Sequence, residues 1–174
     1  MIALYVLALL VAGYTAAAAV IDYRTKKIPN WLTVPSAIAA LVFHTVTGGG
    51  TGFLWALAGF AVGFLLLLLP WILGGGGMGD VKLLAALGTW LGPLGILPAF
   101  GLGAVCALIM AICLMVANTF TVGISATQRR FLNRGGAATA GSAPRKYKRV
   151  LPFAVPIAIG SWLVLAWMLI TAGH

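Results

Sequence analysis

The chain has 174 residues, 62% of them hydrophobic and 7% charged. A water-soluble domain carries about a quarter charged residues, so this composition excludes one and places the chain in a bilayer. The net charge of +9 would suit nucleic acid, but the basic residues sit in short patches between apolar runs, so no nucleic-acid partner is expected.

The first apolar run, 1–21, ends near "AAAA" at 16–19, which offers small residues for signal cleavage. No positive region precedes it and "RTKK" follows it, so it reads as a span with its N-terminus outside. Further spans are predicted at 31–47, 52–73, 83–97, 98–124 and 150–171. Each approaches or exceeds the ~20 residues that cross the hydrocarbon core, except the short fourth. Spans four and five are separated only by "LGPLGILP". The predicted fold is an all-α polytopic membrane protein with about six transmembrane helices in one domain over 1–174. Cys106 and Cys113 lie in one apolar run without a CxxC pair and read as small hydrophobes.

The charges test this layout. Arg24, Lys26 and Lys27 fall between spans one and two, and Lys82 between three and four. Arg129, Arg130, Arg134, Arg145, Lys146, Lys148 and Arg149 fall between five and six. All 11 basic residues thus occupy alternate loops, while "GGGTG" and "GPLGILP" hold none. The positive-inside rule puts the charged loops in the cytoplasm and both termini outside. The basic loop 125–149 is expected to rest on anionic lipid headgroups, with docking of a substrate or partner as the second reading.

Two residues stand out chemically. Asp22 and Asp80 are the chain's 2 acidic side chains. Asp22 ends span one and Asp80 opens span four, so both are predicted at the cytoplasmic side. A carboxylate at membrane depth costs several kcal/mol and needs a partner or a task. Two carboxylates brought together hold one proton between them. One then takes a proton from water while the other, protonated, polarises a scissile carbonyl, which is aspartic-protease chemistry. The plainer reading has Asp22 capping a helix or pairing with Arg24, Lys26 or Lys27, and Asp80 serving as an N-cap. The glycines at 74–77 and Gly79 favour the first reading, because they permit unusual φ/ψ and close approach of an extended substrate.

Other hydrolytic sites fail by counting. HExxH zinc chemistry needs Glu, which is absent. His44 lies ~20 Å along its helix from Trp31, too far from the cytoplasmic face to serve a nucleophile there. His174 ends the sequence, and Ser125 and Ser142 have no histidine in reach. Neither a metal nor an organic cofactor is expected.

"GMGDVKL" (77–83) resembles the GxGD aspartic intramembrane peptidases, in the GxGDxKL form of the type IV prepilin peptidases. "DYRTKKIPN" (22–30), with Ile28, Pro29 and Asn30, is similar to that family's first-aspartate motif. "LPFAVPIAIG" (151–160), with Pro152 and Phe153, is similar to its C-terminal Pro-Phe segment. The resemblance implies a catalytic dyad of Asp22 and Asp80 and an active-site loop shaped by Gly77 and Gly79. Lys82 belongs to the same motif, as a tuner of a carboxylate, a holder of substrate backbone or a topology charge. It also implies an endopeptidase that cuts the leader (a class III signal peptide) from prepilins at the cytoplasmic face of the cell membrane, typically after a glycine. The product is a mature subunit with an exposed hydrophobic helix, and the pilus-assembly machinery is a further candidate partner.

Larger members of that family carry a cytoplasmic insertion with paired CxxC motifs and methylate the new N-terminus. Here about ten residues join spans one and two without a CxxC, a form similar to the short, peptidase-only Tad/Cpa-type branch. No methyltransferase activity and no S-adenosylmethionine site are expected. Archaeal preflagellin peptidases share the dyad and stay an alternative. A proton-coupled carrier would show deeper acidic residues and an internal repeat. A non-catalytic assembly subunit would not need an intact dyad with its glycines.

Overall fold

The computed structural model describes residues 2–73, 77–121 and 153–172, with side chains to 116 in the second block. The basic loop 125–149, the glycines 74–76 and Pro152 lie outside the described residues. Among the described residues the chain is helical without a strand: α1 Ile2–Thr25, α2 Asn30–Ile72, α3 Met78–Thr121 and α4 Ala154–Ala172. Each of these 4 helices holds a stretch long and apolar enough to cross a membrane, in α3 Met78–Val116.

With 43 and 44 residues, α2 and α3 would each run about 65 Å if straight, twice the hydrocarbon thickness. Each is broken by one glycine: Gly49 (φ 61, ψ −145) and Gly92 (φ 71, ψ 176) leave helical geometry. Glycine is the residue that adopts a left-handed φ without a Cβ clash. The backbone at Gly52 lies against the carbonyl of His44, so α2 folds back within the "GGGTG" stretch, where a loop is predicted. The break in α3 comes earlier than the predicted boundary at 97/98. It falls at Gly92, directly ahead of Pro93, because a proline pushes the preceding residue out of the helical region and lacks an N–H.

The chain divides into two units, Met1–Ala107 with Pro152–His174, and Leu108–Leu151. The described part of the second is the end of α3, whose Cys113 is exposed and unpaired. In the first unit the opening half of α3 forms the core, with Leu83, Leu84, Leu87 and Trp90 buried among residues of α1, α2 and α4. Small residues let the helices close on it. A Cβ on Gly59, Gly63 or Gly88 would collide with backbone across the α2–α3 crossing, and Gly103 and Gly160 meet in the same way between α3 and α4. Gly59 and Gly63 form a GxxxG pair, the spacing that brings membrane helices into backbone contact.

Hydrogen bonds finish the packing. Trp162 Nε1 donates to Thr15 Oγ1 at 2.9 Å, tying α4 to α1. Tyr14 donates from its hydroxyl to the Leu83 carbonyl at 3.3 Å, tying α1 to α3. Trp90 Nε1 donates to Ser36 Oγ at 3.0 Å. His44 Nε2 lies 3.0 Å from the Trp90 carbonyl oxygen, which ties the first half of α2 to α3. Lipid is as apolar as leucine, so such close backbones and polar links hold membrane helices together more than burial does.

Candidate active site

The first aspartate motif is built by the end of α1. The helix continues past the predicted limit of 21, so Asp22 lies inside its last turn rather than after it. The Lys26 N–H donates to the Asp22 carbonyl at 2.8 Å, and Lys26 itself takes a left-handed φ of 53° that stops the helix. The Thr25 hydroxyl bonds the Ile21 carbonyl at 2.8 Å and the Lys27 carbonyl at 3.0 Å, closing the turn. Pro29 is extended (φ −78, ψ 147) and its carbonyl accepts from the amides of Leu32 (3.2 Å) and Thr33 (3.4 Å), which starts α2. The fixed φ of proline suits that entry to a helix.

The second motif is the first turn of α3. The Asp80 N–H donates to the Gly77 carbonyl at 3.0 Å, placing Asp80 inside the first turn rather than at the cap. Gly77 and Gly79 both lack a left-handed φ, so the unusual φ/ψ expected of this stretch is not found at those two positions. A Cβ on Gly79 would sit 3.4 Å from the Ile28 Cβ, an ordinary contact, so the local packing does not demand glycine there.

Three contacts bring the motif segments together. Ile28, which is buried, lies against Gly79. Lys82 Nζ donates to Asn30 Oδ1 at 2.9 Å. Asp22 Oδ2 accepts the N–H of Ala154 at 3.1 Å. Ala154 is the first residue of α4 and follows Phe153, which packs against the core. First-turn amides have no partner inside their own helix, so Asp22 satisfies one of them from across the bundle. The capping role weighed for Asp22 is real, but the helix served begins 132 residues away. Asp22 is 2% and Asp80 6% exposed, so both carboxylates are withdrawn from the surface, Asp22 at the end of α1 against the first amide of α4 and Asp80 in the first turn of α3.

Residues 7–116, which hold both aspartates, match the model of the type IV leader peptidase family. The chain belongs to this family. Two curated relatives, both named prepilin leader peptidase/N-methyltransferase, are similar to it. The protein from Xanthomonas campestris pv. campestris is 39% identical over 103 residues, 52% of this chain and 34% of that protein. The protein from Dickeya chrysanthemi is 40% identical over 92 residues, 49% of this chain and 32% of that protein. The chain thus spans about a third of the length of these relatives. No solved structure matches it.

Three residues that the structure singles out carried no assignment in the sequence. Ala154 contributes only its backbone N–H, which no side-chain pattern announces. Tyr14 sits two helical turns before Asp22, and a hydroxyl-bearing ring inside an apolar span was a readable signal. Thr33, one turn into α2, is 3% exposed, and its Oγ1 has no hydrogen-bond partner. Nothing in its sequence context marks it.

Proposed function

We propose that the chain is a membrane-embedded aspartic endopeptidase that removes the short leader of type IV, Tad/Flp-like prepilins at the cytoplasmic membrane face. In this reading it crosses the membrane six times, with both termini outside, and Asp22 and Asp80 form the catalytic dyad. Family membership supports the reaction class. The observation that carries the site is the burial of both of the chain's acidic residues, on segments held side by side by Ile28–Gly79 and Asn30–Lys82. Carboxylates so placed in an apolar chain need a task.

The chemistry follows from one proton shared by two carboxylates. The ionised carboxylate accepts a proton from water, and the water oxygen adds to the carbonyl carbon of the glycine that ends the leader. The protonated carboxylate donates to the carbonyl oxygen as it gains charge. The tetrahedral adduct then collapses: the ionised carboxylate takes a proton from one of the adduct's hydroxyls, the C–N bond breaks, and the proton on the other carboxyl passes to the departing amine. Leader and mature subunit leave, and the dyad again holds one proton. Ala154 fixes the direction of the Asp22 carboxylate by its hydrogen bond. Gly79 presents no side chain beside Asp80, leaving room for an extended substrate backbone. The connection from Lys26 to Pro29 between α1 and α2 is short, which supports the peptidase-only form and an unmethylated product.

The test uses the purified chain in liposomes with a prepilin whose leader ends in glycine, and mass spectrometry of the products. The expected result is cleavage after that glycine and an unmethylated mature N-terminus. An uncut prepilin overturns the peptidase reading, and a methylated product overturns the short-branch reading.

A further inference from the structure

A groove of about 440 Å³ opens between α2 and α3, beginning at Asn30 and Lys82. Ala85 and Ala86 of α3, both buried, form its floor a little over one turn beyond Asp80. The stacked rings of Phe60 and Phe64, centroids 6.1 Å apart, flank one side. From Asn30 to Leu41, the far end along the first half of α2, the helix rises about 16 Å, half of the hydrocarbon thickness.

Thr33 lines this groove, and its hydroxyl is the one buried side-chain polar atom without a partner among the described residues. The other helical threonines with described side chains bond back to their own helix: Thr15 reaches Val11, Thr45 reaches Leu41, Thr89 reaches Ala85 and Thr171 reaches Trp167. The carbonyl in the equivalent position for Thr33 belongs to Pro29, and it already receives the amides of Leu32 and Thr33. A hydroxyl left without an acceptor in an apolar setting is costly, and hydrocarbon does not relieve it. The site therefore asks for an occupant with a polar atom at that depth.

We propose that the groove seats the apolar segment of the substrate adjoining the scissile bond, with the buried Thr33 side chain turning its hydroxyl toward a backbone carbonyl of that segment. This rests on the peptidase reading above and adds where the substrate lies. The groove begins at Lys82, two residues after Asp80 on α3, so a chain lying in it would emerge near the turn that carries that carboxylate. Its alanine floor lets a backbone approach closely, as small residues do wherever membrane helices meet. A helix 10 Å wide and 16 Å long fills roughly 1,300 Å³. The groove thus takes one face of a helix and leaves the rest in lipid. A lipid tail matches the hydrocarbon walls but carries no polar atom below its ester, whereas a peptide offers a carbonyl at every residue. At the mouth, the Lys82 ammonium and the Asn30 amide meet the substrate backbone where it leaves the hydrocarbon.

The test pairs kinetics with cross-linking. Thr33→Val keeps the shape and removes the unpaired hydroxyl, so the fold is retained or strengthened. It is expected to raise KM for a prepilin roughly three- to tenfold with kcat unchanged, the pattern of a lost binding contact, and Thr33→Ser is expected to restore it. A benzophenone side chain at Ile38, a groove residue 56% exposed, is expected to cross-link the prepilin's hydrophobic segment in an Asp80→Asn background. Wild-type cleavage that Asp80→Asn abolishes keeps the peptidase reading in place. With that in hand, an unchanged KM for Thr33→Val, or cross-links to lipid alone, overturns the groove assignment by itself. A wild type that cuts no prepilin overturns both.

Discussion

The α2–α3 crossing rests on glycine, and Gly88→Ala measures how much. A Cβ at Gly88 would collide with the Gly59 carbonyl oxygen, lying 2.9 Å from the Gly59 carbonyl carbon and 3.4 Å from the Gly63 Cα. Those atoms are backbone, so the two helices must part by about half an ångström or more, an overpacking strain of about 1–3 kcal/mol. Alanine also gains roughly 1 kcal/mol over glycine in a helix interior, which opposes the strain. Gly13→Ala in α1 supplies the control, because a Cβ there meets nothing within 4 Å. The propensity gain is common to both variants and cancels in their difference, leaving the strain alone. Gly88→Ala is therefore expected to be about 1–3 kcal/mol less stable than Gly13→Ala, read by tryptophan fluorescence during denaturation in mixed micelles. Equal stability of the two variants would refute the close crossing.

Ala154→Pro removes the N–H that orients Asp22 while placing proline at the first helical position, where it is tolerated. Prepilin cleavage is expected to fall at least about tenfold, with a stability loss of about 1.5–3 kcal/mol for a bond to a charged group; cleavage by the folded variant at the wild-type rate would make that bond structural alone. Trp162→Phe removes the 2.9 Å bond to Thr15, whose hydroxyl keeps its bond to Val11. The expected loss is about 0.5–1.5 kcal/mol of stability, and no measurable loss would separate that bond from the α1–α4 contact. Lys82→Met breaks the exposed tie to Asn30, which as a surface pair is worth about 0–1 kcal/mol. Cleavage is expected to drop while stability holds, and unchanged cleavage would reduce Lys82 to a topology charge.

The apolar runs made the helices legible, and charge in alternate stretches made an orientation readable, because both depend on composition over many neighbouring residues. Asp22 and Asp80 stood out because the chain has no other acid. The turn near Gly49 was readable from its run of glycines, and the break at Gly92 falls at the start of the "GPLGILP" stretch, ahead of the span boundary at 97/98. Both prolines disfavour the helix, and only packing decides between them. The Gly59–Gly63 pair carried a known spacing signal that went unused. The Asp22–Ala154 bond and the unpaired hydroxyl of Thr33 had no such signal. Each arises from where distant helices come to rest, not from the residues beside it.

Replacing each aspartate by asparagine tests the dyad most directly. Asparagine nearly keeps the shape and retains an oxygen that accepts the Ala154 N–H, but it no longer exchanges a proton. Membranes carrying the wild type, Asp22→Asn or Asp80→Asn at equal levels are given the same prepilin, and processing is followed as a mobility shift on a gel. The dyad predicts cleavage by the wild type and none by either variant. Continued cutting by one variant at more than about a tenth of the wild-type rate contradicts it, since a lost catalytic acid or base lowers the rate by about 10²–10⁴.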